Sequence, residues 1–218
     1  MKRMIALFFV ACASCAFGQG EPLKDKTLVA WVAPANLTQK GGSALTIDDN
    51  RTHFDGIVFG ERHAARWMPG SDGFTRTQLE QASYPAETAD AKTFVQMAIV
   101  YRGKQVTVYR DGKLYVQYDV AQPQEFPKDS VVIMGIRHLL AGDHACFAGA
   151  IDDARIYPLA LSAEQIAALK ANQPSEPKPL AWWNFENGKP EELMGAYPPA
   201  KLVGNARIEG GKLILDGN

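Results

Sequence analysis

Residues 149–169 read "GAIDDARIYPLALSAEQIAAL", and their second half is a helix with a marked start. Ser162 suits an N-cap, and Gln165, three positions on, completes a capping box by reaching back to the cap amide. Leu161 before the cap and Ile166 after it form a hydrophobic staple. These signals predict a short helix over about 163–171. The first half, "AIDDARIY", is strand-like. Regular alternation places Ala154 and Ile156 on one face and Ile151, Asp153, Arg155 and Tyr157 on the other. Two adjacent acids in such a run, Asp152 and Asp153, need a reason that the segment alone does not supply.

Working outward, the body of the chain is a succession of short β runs. "TLVAWVA" (27–33), "SALTID" (43–48), "DGIVFG" (55–60), "FVQMAIVYR" (94–102), "QVTVYR" (105–110), "KLYVQYDV" (113–120) and "SVVIMGIR" (130–137) are rich in β-branched and aromatic residues. Turn-forming residues separate most of them. In "VTVYRDGKLYVQY", Asp111-Gly112 fits a two-residue type I′ turn between alternating strands. So many short strands predict an all-β antiparallel sandwich of two sheets. One stretch breaks the rhythm: residues 61–91, with Trp67, Phe74 and Tyr84, read as a long irregular loop of the kind that carries function. After the helix, "NQPSEPKP" (172–179) reads as a Pro-rich linker, so we set 172–180 apart. A further β segment, 181–218, follows with "LAWWNF", "AKLVGNARIE" and "GKLILDGN".

The opening "MKRMIALFFVACASCAFGQG" has a positive start, a ten-residue apolar run and small residues at Ala16 and Gly18. It reads as a secretory signal peptide over 1–18, cleaved after Gly18, and predicts a secreted or periplasmic protein. The run is too short to span ~30 Å of hydrocarbon, so no membrane insertion is expected once the signal is gone. Cleavage would remove Cys12 and Cys15 and leave Cys146 alone, so the domain must be stable through its core rather than a disulfide. It would also take Lys2 and Arg3 from 23 basic residues, leaving 21 against 24 acidic ones and a net charge of −3. With no basic run or stripe, nucleic acid is excluded as a partner class. A monomer is expected.

The strand "TLVAWVAPAN", the hairpin "VTVYRDGKLY" and above all "FAGAIDDARIYPLALSAEQIAAL" resemble the laminin-G-like, or concanavalin-A-like lectin/glucanase, jelly-roll modules of secreted bacterial proteins. The resemblance spans roughly 25–170 and implies a two-sheet jelly roll over 19–171. It implies a non-catalytic carbohydrate-binding or accessory module, of the kind appended to invertase- or levanase-like glycoside hydrolases. Its partner would be a polysaccharide or a neighbouring catalytic domain. Two alternatives stand beside it: a spacer module with no sugar site, and a truncated fragment of such a hydrolase. In the family, strands like those of 181–218 normally come first. Here they either complete the sandwich by folding back or begin a truncated second module.

Catalysis finds little support. Glycosidases need two facing carboxylates about 5–9.5 Å apart, and the Asn-Asp-Pro-Asn-Gly motif of the invertase-like enzymes is absent. The histidines, at 53, 63, 138 and 144, lack zinc spacing. No cofactor is required. The resemblance does allow a structural calcium, with Asp152 or Asp153 as a ligand and Asp216 nearby if the last segment folds back. Against it stands a simpler reading in which one acid pairs with Arg155 or Arg137 and the other caps a turn. A sugar site would need an aromatic platform with polar partners. The candidate cluster is Trp67 with Arg66, Asp72 and Phe74. Tyr101, Tyr109, Tyr115 and Tyr118 alternate along the hairpin and should place some rings on an open face. Trp31, Trp182 and Trp183 lie in strands and read as core.

Overall fold

The computed structural model describes residues 9–11, 21–139 and 145–218. The rest of the 1–18 leader and His144 lie outside the described residues. Among the described residues the architecture is two antiparallel sheets packed face to face, with one α-helix. One sheet has five strands in the order β1 (Phe9–Ala11), β9 (Val131–Met134), β3 (Gly42–Asp48), β4 (Phe54–Phe59) and β5 (Trp67–Ser71). The other runs β12 (Arg207–Glu209), β13 (Lys212–Asp216), β10 (Ala148–Tyr157), β2 (Lys26–Pro34), β6 (Val95–Arg102), β7 (Gln105–Arg110) and β8 (Lys113–Asp119), with β11 (Ala181–Trp183) also on β10. Inward residues from both sheets, among them Leu28, Ala30, Ile57, Phe59, Ile99, Val108 and Phe147, form one apolar core.

Local signals explain the hairpin and the helix. Asp111 and Gly112 both take positive φ, +49° and +71°, as a type I′ turn demands. The helix α1 (Ala163–Ala168) begins with the full capping box at Ser162. It stops short of residue 171 because Leu169 turns extended and buries itself with Leu161 and Ile166 against Val29, Val100 and Tyr157. This puts α1 on the outer face of the larger sheet.

Three expectations need correction. The register of β10 against β2 slips between Ile151 and Asp153, so Asp152 is a bulge residue with no partner of its own on β2. The extra residue returns Ile151 to the core side with Ala154 and Ile156, and leaves Asp153, Arg155 and Tyr157 outside. Second, residues 67–71 are not irregular: "WMPGS" forms β5 on β4, with Phe59 opposite Trp67 and Ile57 opposite Pro69. Proline and glycine disguise it, yet an edge strand tolerates both. Third, the 130–137 run pairs only over 131–134 before Gly135, at φ +110°, turns it away.

At the sheet edges, Phe9–Ala11 runs antiparallel to Val132–Met134. An otherwise open edge pairs with a strand within reach. The 181–218 segment lies along β10. Trp183 is opposite Ala154, while Leu213 is opposite Ile151 and Asp216 opposite Ala148. Trp183, Phe185, Tyr197 and Leu213 join the common core.

Candidate functional site: a cleft on the five-stranded sheet

The cleft forms where three loops meet over the outer face of the smaller sheet. The first is the turn after β3. Its anchor is Asp49, whose carboxylate accepts the backbone N–H groups of Arg51, Thr52 and His53 and the His53 ring. Burial alone would raise this carboxyl, but those hydrogen bonds outweigh it and hold Asp49 below the usual range. The turn delivers Phe54 at the start of β4.

The second loop follows β5. Ser71 leads into a tight turn, Asp72–Phe74, in which Gly73 and Phe74 are both left-handed at φ +52° and +59°. Arg76 secures it by donating to the carboxylates of Asp72 and Asp55 and to the Phe54 carbonyl. Asp55 is in turn paired with Lys26 of the opposite sheet at 2.9 Å. Lys26 is fully buried, and desolvation lowers its pKa despite the Asp55 charge. The turn thus rests on a charged cluster that links both sheets.

The third loop follows β9. His138 stacks on Phe54 with ring centroids 5.0 Å apart. Asp48 accepts the Leu139 N–H at 3.1 Å. Arg137 forms an ion pair with Glu61. The Arg137 Nε is buried with no hydrogen-bond partner among the described residues, and desolvation lowers its pKa.

These parts enclose an open cleft of about 290 Å³. Phe54, Phe74 and His138 supply ring surface, while Thr52, Glu61, Asp72 and Arg137 supply hydrogen-bonding groups. The Arg62 guanidinium lies over the Phe74 ring at 5.2 Å. Rings beside directional polar groups can receive a sugar face and its hydroxyls.

Of the four ligand residues expected from sequence, Asp72 and Phe74 line this cleft and the other two do not. Trp67 is fully buried, because it is an inward residue of β5. Its ring packs against Phe59 at 4.6 Å, and its Nε1–H donates to Glu87 at 2.8 Å. No face is left for a ligand, so the platform expected there is a structural anchor. Glu87 also takes two hydrogen bonds from Arg110 of β7. Burial would raise its pKa, but Arg110 and the backbone and indole donors drive it down to about 2. The Arg66 guanidinium turns back onto the carbonyls of Ala64 and Ala65. Tyr115 and Tyr118 hold the long loop through the carbonyls of Pro85 and Arg76, and Tyr101 is core; Tyr109 instead packs on the outer side with α1. Sequence reasoning missed Phe54, Glu61, Arg137 and His138, which only the sheet topology brings together.

The three acids assigned to a metal are not gathered either. Asp153 is fully buried in a bidentate pair with Arg155 at 2.7 and 2.8 Å, and it also accepts the Asn172 N–H and the Trp182 indole N–H. Its oxygens are therefore committed to donors. Burial pushes its pKa up in spite of the Arg155 charge. Trp31 and Trp182 lie over the Arg155 guanidinium at 5.1 and 4.7 Å; Trp31 is nevertheless buried in the apolar cluster beneath α1 and Trp183 in the central core, as expected, whereas Trp182 is only half-buried. Asp152 faces Lys212 and Asn172. Asp216 holds Asn205 and the Asn218 N–H. Four residue steps along β13 separate Lys212 from Asp216, about 13 Å. Among the described residues no three His, Cys, Asp or Glu side chains form a group suited to a metal ion.

The family model of the concanavalin A-like lectin/glucanases superfamily matches residues 16–167. The chain belongs to that superfamily. No curated protein sequence matches it. Among solved structures, this jelly roll is similar to a protein of Bacteroides ovatus proposed to bind carbohydrate, at TM-score 0.61 and 11% identity, covering 93% of this chain and 59% of that one. It is also similar to domain 4 of AbnA, a GH43 extracellular arabinanase from Geobacillus stearothermophilus, solved with arabinotriose (TM-score 0.47, 19% identity, 66% and 65% coverage). A third is the CBM40 of the Ruminococcus gnavus IT-sialidase bound to α2,6 sialyllactose (TM-score 0.49, 12% identity, 75% and 92% coverage). The chain thus spans under two thirds of the first two neighbours, and at these identities the likeness is one of fold.

Proposed function

We propose that this protein is a non-catalytic carbohydrate-binding module, exported from the cytoplasm and working beside a glycoside-hydrolase-type domain. The observation that carries the reading is the cleft of Phe54, Phe74 and His138, where ring surface meets fixed hydroxyl, carboxylate and guanidinium groups. The Bacteroides ovatus neighbour, itself proposed to bind carbohydrate, supports it at the level of fold. A sugar ring would lie against Phe74 or the Phe54–His138 pair and exchange hydroxyl hydrogen bonds with Glu61, Asp72 and Arg137. The Arg137 guanidinium, which lines the cleft, offers directional donors to such a ligand. Glu61 and Asp72 are each engaged by an arginine, which favours holding a ligand over cleaving one. The leader sequence is the ground for export.

The test is calorimetric titration of soluble polysaccharides, alongside a reducing-sugar assay. We expect weak binding to at least one polysaccharide and no hydrolysis. Phe74→Ala should weaken binding about tenfold, while stability stays within about 1 kcal/mol, as for a half-exposed loop residue. Release of reducing sugar that is lost in Glu61→Gln would overturn the non-catalytic reading. Binding unaffected by Phe74→Ala and Arg137→Ala would remove the cleft from it.

A further inference from the structure

A second opening lies on the opposite side of the molecule, on the outer face of the larger sheet. Helix α1 covers β10, β2 and part of β6, and it meets β7 and β8 only at Tyr109 and near the Gly112 turn, where Ala167 packs. A groove of about 210 Å³ remains between the helix entry and these strands. Its apolar boundary is Val100, Tyr109 and Leu161. Its polar groups are Arg102, Gln105, Thr107, Gln117 and the helix-capping Ser162, and no carboxylate lines it.

The register explains the placement. Val100, Thr107 and Gln117 form one row across β6, β7 and β8, and Arg102 and Gln105 begin the next. With strands about 4.8 Å apart and alternate residues about 7 Å apart, the polar groups cover roughly 10 Å by 7 Å. That suits a short oligosaccharide better than a single ion. The groups are also held in position. The Thr107 hydroxyl donates to Gln117 Oε1 at 3.3 Å, which leaves the Gln117 NH2 uncommitted by that bond. Arg102 donates to the Ala160 carbonyl at 3.3 Å. Thr107 and Val100 are nearly buried under the groove.

An outer sheet face that meets only water usually carries charged residues. Amides and hydroxyls are different, because each both donates and accepts, as a sugar hydroxyl does. We propose that this groove is a second binding site, for a neutral oligosaccharide, distinct in place and chemistry from the charged cleft on the five-stranded sheet. Two sites on opposite faces would let one molecule bridge two glycan chains and gain avidity. The inference extends the carbohydrate-binding reading to a new face, and the two can fail separately.

The experiment is a 1H–15N NMR titration of the purified chain with xylohexaose, cellohexaose and laminarihexaose at up to millimolar concentration. We expect at least one to shift the side-chain amides of Gln105 and Gln117 and the backbone amide of Thr107, and to do so equally in Phe74→Ala. The double variant Thr107→Val/Gln117→Leu should weaken the affinity read from the Gln105 side-chain amide and the backbone amide of residue 107 at least tenfold while leaving any response at Phe74 and Arg137 unchanged. Groove resonances that stay still with all three sugars, or that respond identically in the double variant, would overturn the second site. Groove binding without a cleft response would retain this inference and sink the cleft.

Discussion

The two outer faces of the sandwich are covered in opposite ways. On the five-stranded sheet the cover is loops, pinned by ion pairs: Arg76 with Asp55 and Asp72, Arg137 with Glu61. On the larger sheet it is a helix seated by apolar side chains, with one buried pair, Asp153–Arg155, beneath its exit. The difference decides what chemistry each opening presents. Loops bring charges and rings from three distant points of the chain to one cleft, while a helix that stops early leaves bare strand residues spaced by the sheet itself.

The sharpest way to break the comparison is to split the buried ion pair on the helix side. Arg155→Met should cost about 3–5 kcal/mol, because Asp153 is left buried with its main partner gone. Denaturant unfolding measures this, and a loss below about 1 kcal/mol would show that Asn172 and Trp182 suffice to hold the acid. Next comes the anchor of the loop side. Glu87 falls from the ordinary 4.5 to about 2 on folding. Its depressed pKa gives on the order of 3 kcal/mol of stability, fully present above pH ~4.5 and lost as pH falls toward ~2. Glu87→Gln should therefore lower the melting temperature at neutral pH and flatten its decline in acid. An unchanged acid limb would refute the assignment. The smallest effect belongs to the cap: Ser162→Ala should cost about 1 kcal/mol, and calorimetry of the thermal transition would detect it as a shift of a few degrees at most.

What could be read from the sequence divides along the same line. Asp111-Gly112 and the Ser162–Gln165 box are local devices, whose chemistry lies within four residues, and they stand where the pattern places them. The Trp67 strand was hidden because Pro69 and Gly70 weaken any strand signal, and only its position at a sheet edge makes them acceptable. Its burial then follows from pairing with Phe59, a contact between different strands. Asp72 and Phe74 were legible as an aromatic and an acid in a long loop. Phe54, Glu61, Arg137 and His138 were not, since nothing in their spacing says that β4, β5 and β9 share a sheet. The two acids at 152 and 153 misled for another reason. Strict alternation assigns faces correctly only where no residue is surplus.

That surplus residue has a consequence for editing the chain. Asp152 sits outside the two-residue rhythm of β10, so removing it would join Ile151 directly to Asp153 and leave every side chain on the side it already occupies. The strand would lose its kink and the Lys212 contact, but not its phase. Removing a neighbour such as Ala154 would instead turn Ile151 and everything before it inside out relative to Arg155 and Tyr157. Within ten residues of one strand, a single deletion is therefore either a local smoothing or the exchange of a core for a surface, and the bulge marks which is which.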